Sequence, residues 1–167
     1  ITGVYLMTIE IGDKIPCATL KFIGADGVTS VEVSEYFSNK KIVLFSVPGA
    51  FTPTCSAKHL PGFVEYTSDI LGKGIDEIIC ISVNDPFVMN AWEKDQNSKG
   101  KVTLLADGNG EFTEALGLSF DGSGFGLGKR GQRFAMIINN GVVSYLAIEE
   151  AGSFDVSSAE SILKVLD

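Results

Sequence analysis

Two apolar runs, KIVLFSV at 41–47 and EIICISV at 77–83, constrain the fold more than any other feature of the chain. A strand with one face in water alternates apolar and polar residues. These two barely alternate, so each reads as a strand covered on both faces, as in a parallel sheet flanked by helices. Parallel neighbours need a crossover between them. The interval supplies one, because Leu60, Phe63, Val64 and Ile70 recur on a helical period within Thr54–Leu71.

The remaining elements extend this pattern. Val102–Ala106 reads as a shorter strand, and Cys17–Ile23 as an added edge strand near the N-terminus. Arg133–Ile138 and Val142–Ile148 flank Asn139-Asn140-Gly141, whose residues tolerate the positive φ of a tight hairpin turn. Helices are expected at Ser34–Phe37, Pro86–Asp95, Glu111–Leu116 (capped by Asn109) and Ser158–Leu166, the last with Ile162, Leu163 and Leu166 facing inward. Strands alternating with helices and closing in a hairpin and a helix describe an α/β sandwich. The order fits a thioredoxin-like fold with a mixed central sheet, helices on both faces and an added N-terminal strand or hairpin. The 167 residues suit one domain over 1–167. Residues 1–8 read as an extension, with Met7 as a native start.

Charge narrows the partners. The net charge of −8 disfavours nucleic acid or an anionic membrane, since both call for a basic face. No apolar run approaches the roughly 20 residues of a spanning helix. The opening ITGVYLMTIEIG lacks the basic and apolar blocks of a secretory signal. Three widely spaced cysteines, Cys17, Cys55 and Cys80, argue against a disulfide scaffold, and one histidine, His59, supplies a zinc site poorly. A reducing compartment, cytoplasmic or equivalent, is the expectation.

The cysteines differ in setting. Cys80 lies among Ile78, Ile79 and Ile81 and reads as a buried structural thiol; Cys17 reads the same way more narrowly and could be exposed. Cys55 ends the stretch PGAFTPTC. With Thr52 as N-cap, Pro53 takes the first helical position, where its missing N–H costs nothing. Cys55 is then the third helical residue, or still in the first turn if Thr54 caps instead, and either way lies among unbonded amides at the positive end of the helix dipole. That setting favours thiolate, the reactive form. A helix start after a loop is also expected to leave Cys55 neither apolar nor covered. Pro48 ends the preceding strand and stiffens one wall of the pocket, and Pro61 is expected to bend the helix by removing the bond to the Ala57 carbonyl.

PGAFTPTCS closely resembles the active-site segment of the peroxiredoxins, whose shared core is Pro-x-x-x-Thr-x-x-Cys, here Pro48, Thr52 and Cys55. HLPGF after it, SVND at 82–85, FVMNAW at 87–92 and DGNGEFT at 107–113 resemble the type II branch, sometimes grouped with the atypical two-cysteine enzymes. The similarity runs from about Ile11 to the C-terminus. It also implies an arginine on a later strand, the position held by Arg133 at the opening of RFAMII. A guanidinium keeps its charge and offers fixed donors, which suits a thiolate and a breaking peroxide bond.

The resemblance implies a thiol-dependent peroxidase acting on hydrogen peroxide and organic hydroperoxides through a Cys55 sulfenic acid, with Thr52, Arg133 and the Cys55 amide holding the peroxide and Pro48 excluding water. No metal, haem or flavin is implied. Thr54, His59 and Arg130 are expected to line or back the pocket. A protease-like Cys55–His59 pair ranks lower, because a base one helical turn away is poorly placed to be oriented by a third residue. Where some relatives carry a resolving cysteine, this chain has Ser157 and Ser158. The implied cycle therefore uses one cysteine and an external thiol, glutathione with glutaredoxin ahead of thioredoxin. A homodimer is implied by family habit alone. The rival reading is a redox sensor or interaction module that relays oxidation to a partner. Gly126, Gly128 and Gly131 match a dinucleotide fingerprint, but the segment leads into a strand rather than a helix. It is expected to be a flexible loop delivering Arg133.

Overall fold

The computed structural model describes residues 8–166. The reading of Met7 as a start lies outside them. A seven-stranded sheet has the order β2 (Gly27–Glu32), β1 (Thr19–Gly24), β5 (Thr103–Ala106), β4 (Glu77–Ser82), β3 (Lys41–Ser46), β8 (Phe134–Asn139), β9 (Val142–Ile148). Its centre is β3, β4 and β5, which run parallel, with Leu44 opposite Ile79 and Cys80 opposite Leu104. Successive side chains point to opposite faces. Val43, Phe45, Ile78 and Cys80 join one core, and Ile42, Leu44, Ile79 and Ile81 the other. That two-sided burial is why both runs carry so few polar residues. This is the thioredoxin-like α/β arrangement, a mixed sheet with helices on both faces.

β8 (Phe134–Asn139) pairs antiparallel with β3 and with β9 (Val142–Ile148). Their turn uses Asn140 at φ 48° and Gly141 at φ 78°, the left-handed pair that matches the strands' twist. Arg133 falls one residue before the strand rather than opening it. At the other side of the sheet, Thr19–Gly24 is β1. It is not an edge strand, because β2 (Gly27–Glu32) pairs outside it. GVTSVE is unmarked in the sequence because its apolar residues do not share one face: Val28 points outward at 51% exposure and only Val31 is buried on the strand. The glycine-dense 121–131 segment is no flexible loop. It closes a hairpin of β6 (Ser119–Asp121) and β7 (Lys129–Gly131) around a short 3₁₀ turn.

The helices are α1 (Val33–Tyr36), α2 (Leu60–Glu65), α3 (Thr67–Leu71), α4 (Pro86–Gln96), α5 (Glu111–Ala115) and α6 (Ala159–Leu166). The expected helix over 54–71 is broken. It opens at Pro53, widens into one π turn at Cys55–His59, and is interrupted at Tyr66 between α2 and α3. In the π turn the Leu60 amide bonds the Cys55 carbonyl five residues back. Pro61 follows with no N–H to restore the usual register, so its deformation appears as a wide turn. At α5, Asn109 is not the cap. Gly110 takes the N-cap position with φ 71°, and buried Asp107 reaches past it to accept from the amides of Phe112 and Thr113. α4 is capped as its sequence permits, with Asp85 accepting from the Val88 amide and Pro86 first in the helix. Among the described residues no helix is long and apolar enough to cross a membrane.

Candidate active site

Val47 leaves β3 at the carboxyl end of the parallel strands, where ligands of open α/β sheets sit. The chain then turns through Pro48–Phe51. The Thr52 amide bonds the Gly49 carbonyl, and the Thr52 hydroxyl donates to the same carbonyl at 2.7 Å. The first bond of the helix runs from the Ser56 amide to the Thr52 carbonyl at 3.0 Å. The amides of Thr54 and Cys55 therefore precede the first bond of the helical ladder. Phe51 is held at φ 64°, a left-handed conformation that a bulky side chain rarely adopts. The Ala50 amide beside it bonds Asn84 Oδ1, which also takes the Ser82 hydroxyl at 2.6 Å. The turn is thus bolted to the end of β4.

Cys55 is fully buried, against the expectation of an uncovered thiol. Val47, Leu60, Phe63 and Cys80 share its core, because the π turn rolls the cysteine inward under the helix start. Its polar contact is Arg133, whose Nη2 donates to Sγ at 3.1 Å. The second arm of the guanidinium, Nη1, lies 2.8 Å from His59 Nδ1. His59 Nε2 lies 2.9 Å from the Ser157 carbonyl, which can only accept. These contacts fix the tautomer: Nε2 carries the proton and Nδ1 accepts from Arg133. Burial, and after it the Arg133 charge, lower the His59 pKa to about 3. The ring is neutral, tilted against Phe45 and Phe154.

His59 therefore is oriented by a third group, contrary to expectation, yet its accepting nitrogen serves Arg133 rather than the sulfur. That geometry removes the protease-like reading, since the only His59 nitrogen free to accept is taken by Arg133. Arg130 does not meet the sulfur. Its Nε bonds the Leu127 carbonyl at 3.0 Å and its Nη1 the Pro48 carbonyl at 3.4 Å, tying the β6–β7 hairpin to the wall of the pocket. Glycine at 49 makes room for this. A Cβ there would come within 2.8 Å of Arg130 Nη1 and 3.1 Å of Thr52 Cγ2. Thr54 is half-buried in the first turn. Cys80 lies in the sheet beneath Cys55, with burial pushing its thiol pKa well up, and Cys17 is exposed ahead of β1.

The family described as Redoxin matches residues 10–163. A chloroplastic peroxiredoxin-2E of Arabidopsis thaliana is 51% identical over 163 residues, covering 95% of this chain and 70% of that protein. Peroxiredoxin-2D of the same plant is 49% identical and covers 95% of this chain and 98% of its own. The chain belongs to the peroxiredoxins. Its backbone also superposes on the reduced Prx3 of Vibrio vulnificus in complex with H2O2, with a TM-score of 0.93, 50% identity and coverage of 96% of this chain and 100% of that one. As a type II peroxiredoxin it is a thiol peroxidase, an oxidoreductase. Residues that sequence reasoning did not single out as parts of the peroxiredoxin pocket include Asn84, Phe154, Ser157 and Glu149. Asn84 stood in the SVND motif. The other three stand in a stretch noted only for lacking a cysteine, and their places depend on a loop that no periodicity marks.

Proposed function

We propose that this chain, acting as one domain, reduces hydrogen peroxide and organic hydroperoxides at Cys55 and is regenerated by glutathione with glutaredoxin. The observation that carries the reading is the Arg133 fork, with one arm on Cys55 Sγ and the other on a neutral histidine. A carboxylate partner would offset the guanidinium charge; a neutral imidazole orients it and leaves the charge beside the sulfur. The Cys55 thiolate attacks one peroxide oxygen, the O–O bond breaks, and the departing alkoxide or hydroxide takes a proton to leave as alcohol or water. The sulfur becomes sulfenic acid. Arg133, the Cys55 amide and Thr52 stabilise the oxygens as charge develops, and Pro48 with Arg130 shapes the wall that excludes water.

Regeneration by an external thiol rests on the absence of a placed partner. Ser157 and Ser158 stand where some relatives have a resolving cysteine, and Cys80 is locked mid-strand and fully buried. Glutathione attacks the sulfenic sulfur, water leaves, and glutaredoxin takes the glutathionyl group. This cycle needs a reducing compartment. A homodimer fits the three exposed phenylalanines, Phe51, Phe87 and Phe125. They ride on segments joined at the same rim by the Ala50–Asn84 and Arg130–Pro48 bonds. The deciding assay is peroxide consumption with glutathione and glutaredoxin against thioredoxin and its reductase, for wild type and Cys55→Ser. Turnover lost in Cys55→Ser and sustained best by glutaredoxin is expected. Little turnover of the wild type with either reductant pair would instead favour a redox sensor.

A further inference from the structure

Arg133 is held from an unassigned direction. Past the end of the β8–β9 ladder, the Glu149 amide bonds the Arg133 carbonyl at 3.0 Å. Glu149 is buried, at 7% exposure, and its Oε2 accepts three bonds: from the Asp155 amide at 2.6 Å, the Ser157 amide at 2.9 Å and the Ser157 hydroxyl at 2.7 Å. Those bonds place the Ser157 carbonyl that receives His59 Nε2, and His59 Nδ1 receives Arg133. The bonds close a ring that starts and ends on Arg133: its carbonyl to Glu149, Glu149 to Ser157, Ser157 to His59, and His59 back to the guanidinium.

We infer that Glu149 is a positioning residue for the peroxide step, acting through Ser157 and the tautomer of His59; the inference rests on the role proposed above for Arg133. Ser157 is fully buried, so its amide and hydroxyl find no water if the carboxylate is removed. The loop must then shift to satisfy them, and the Ser157 carbonyl shifts with it. Without that acceptor nothing keeps the proton on Nε2. A ring protonated on Nδ1 presents a donor to the Arg133 donor, and the fork swings away from Sγ. Burial works against a charge on Glu149, but the Ser157 hydroxyl and the loop amides outweigh it and hold the carboxyl below its ordinary range. The negative charge is thereby committed to the loop.

The test measures Cys55 oxidation by hydrogen peroxide in a single turnover, and separately the reduction of the sulfenic acid by glutathione. The variants are Glu149→Ala, Glu149→Gln, Arg133→Ala and the Arg133→Ala/Glu149→Ala pair. Glu149→Ala is expected to slow the peroxide step at least about tenfold and leave the thiol step within about twofold, since only the former uses the Arg133 fork. Glu149→Gln, which keeps an accepting oxygen, recovers most of the rate. In the double variant the Glu149 change adds less than about twofold to the loss from Arg133→Ala, because both act through one guanidinium. Where Glu149→Ala does not fold, Ser157→Ala, which removes one of the three bonds, carries the same comparison with a smaller loss. Full additivity with Arg133→Ala, or an unchanged peroxide step, overturns the inference alone. An Arg133→Ala variant with wild-type rate overturns the role of Arg133, and this inference with it.

Discussion

Arg133 spends two nitrogens on two partners that lie four residues apart on one turn of helix. Lysine offers donors from a single nitrogen on a flexible stem and cannot hold both at 2.8 and 3.1 Å in one fixed plane. Arg133→Lys is expected to keep the fold and lower the second-order rate of peroxide reduction by about 10²-fold, the scale of losing one oriented charge-stabilising donor. Stopped-flow kinetics measures it. His59 carries a separate, pH-dependent signature. The folded ring stays neutral to about 3, below the ordinary value of 6.5 for an unfolded histidine. Between those values the unfolded chain binds the extra proton, so the contribution to stability is whole above 6.5 and shrinks as pH falls through the window. From about pH 6.5 to about pH 5, before most carboxylates titrate, the loss is about 2 kcal/mol. Denaturant midpoints at the two pH values test this, with His59→Asn expected to flatten the slope. An equal slope in both proteins counts against a neutral buried ring. The meeting of Cys55 and Arg133 was legible because the resemblance calls for both a Pro-x-x-x-Thr-x-x-Cys segment and an arginine on a later strand. The duty of His59 was not, because it depends on a carbonyl 98 residues away.

At the scale of elements, the two long central strands followed from composition and the β8–β9 turn from chemistry, whereas β2 and the β6–β7 hairpin did not. KIVLFSV and EIICISV could be placed because burial on two faces leaves few polar residues to hide. Asn140-Gly141 could be placed because few other residues tolerate both left-handed positions. The start of α5 was misread for a physical reason. DGNG offers two side chains able to cap, and the left-handed Gly110 swings Asn109 away and brings Asp107 over the helix end. Asp107 takes the amides of Phe112 and Thr113 and the Thr113 hydroxyl, the last two at 2.8 and 2.6 Å. Thr113 packs beneath Gly131 of β7, the strand that carries Arg130. Asp107→Ala leaves buried donors without acceptors and is expected to cost about 1–3 kcal/mol of unfolding free energy by urea titration. An unchanged midpoint would show that water takes over the cap.

For the whole molecule, two outcomes follow from what is buried and what is not. Intact mass after one equivalent of peroxide is expected to show addition of one oxygen, or of glutathione when it is present. Quantitative loss of two hydrogens to a Cys55–Cys17 or Cys55–Cys80 bond would replace the one-cysteine cycle. Phe125, 86% exposed, is the most exposed large apolar side chain among the described residues. Phe125→Glu is expected to shift sedimentation from dimer toward monomer with little change in melting temperature. A wild type that sediments as a monomer would remove the proposed interface.

The chain has one tryptophan, and the fold puts it to a use that concerns no ligand. Trp92 on α4 is fully buried, and its Nε1 donates to the hydroxyl of Ser56, the neighbour of Cys55, at 2.9 Å. An indole coupled so closely to the reacting turn is a built-in optical reporter. Its emission is expected to change in one phase that scales with peroxide and to return in a second that scales with thiol. Ser56→Ala should mute both signals while turnover continues, so each half-reaction can be timed without attaching a dye.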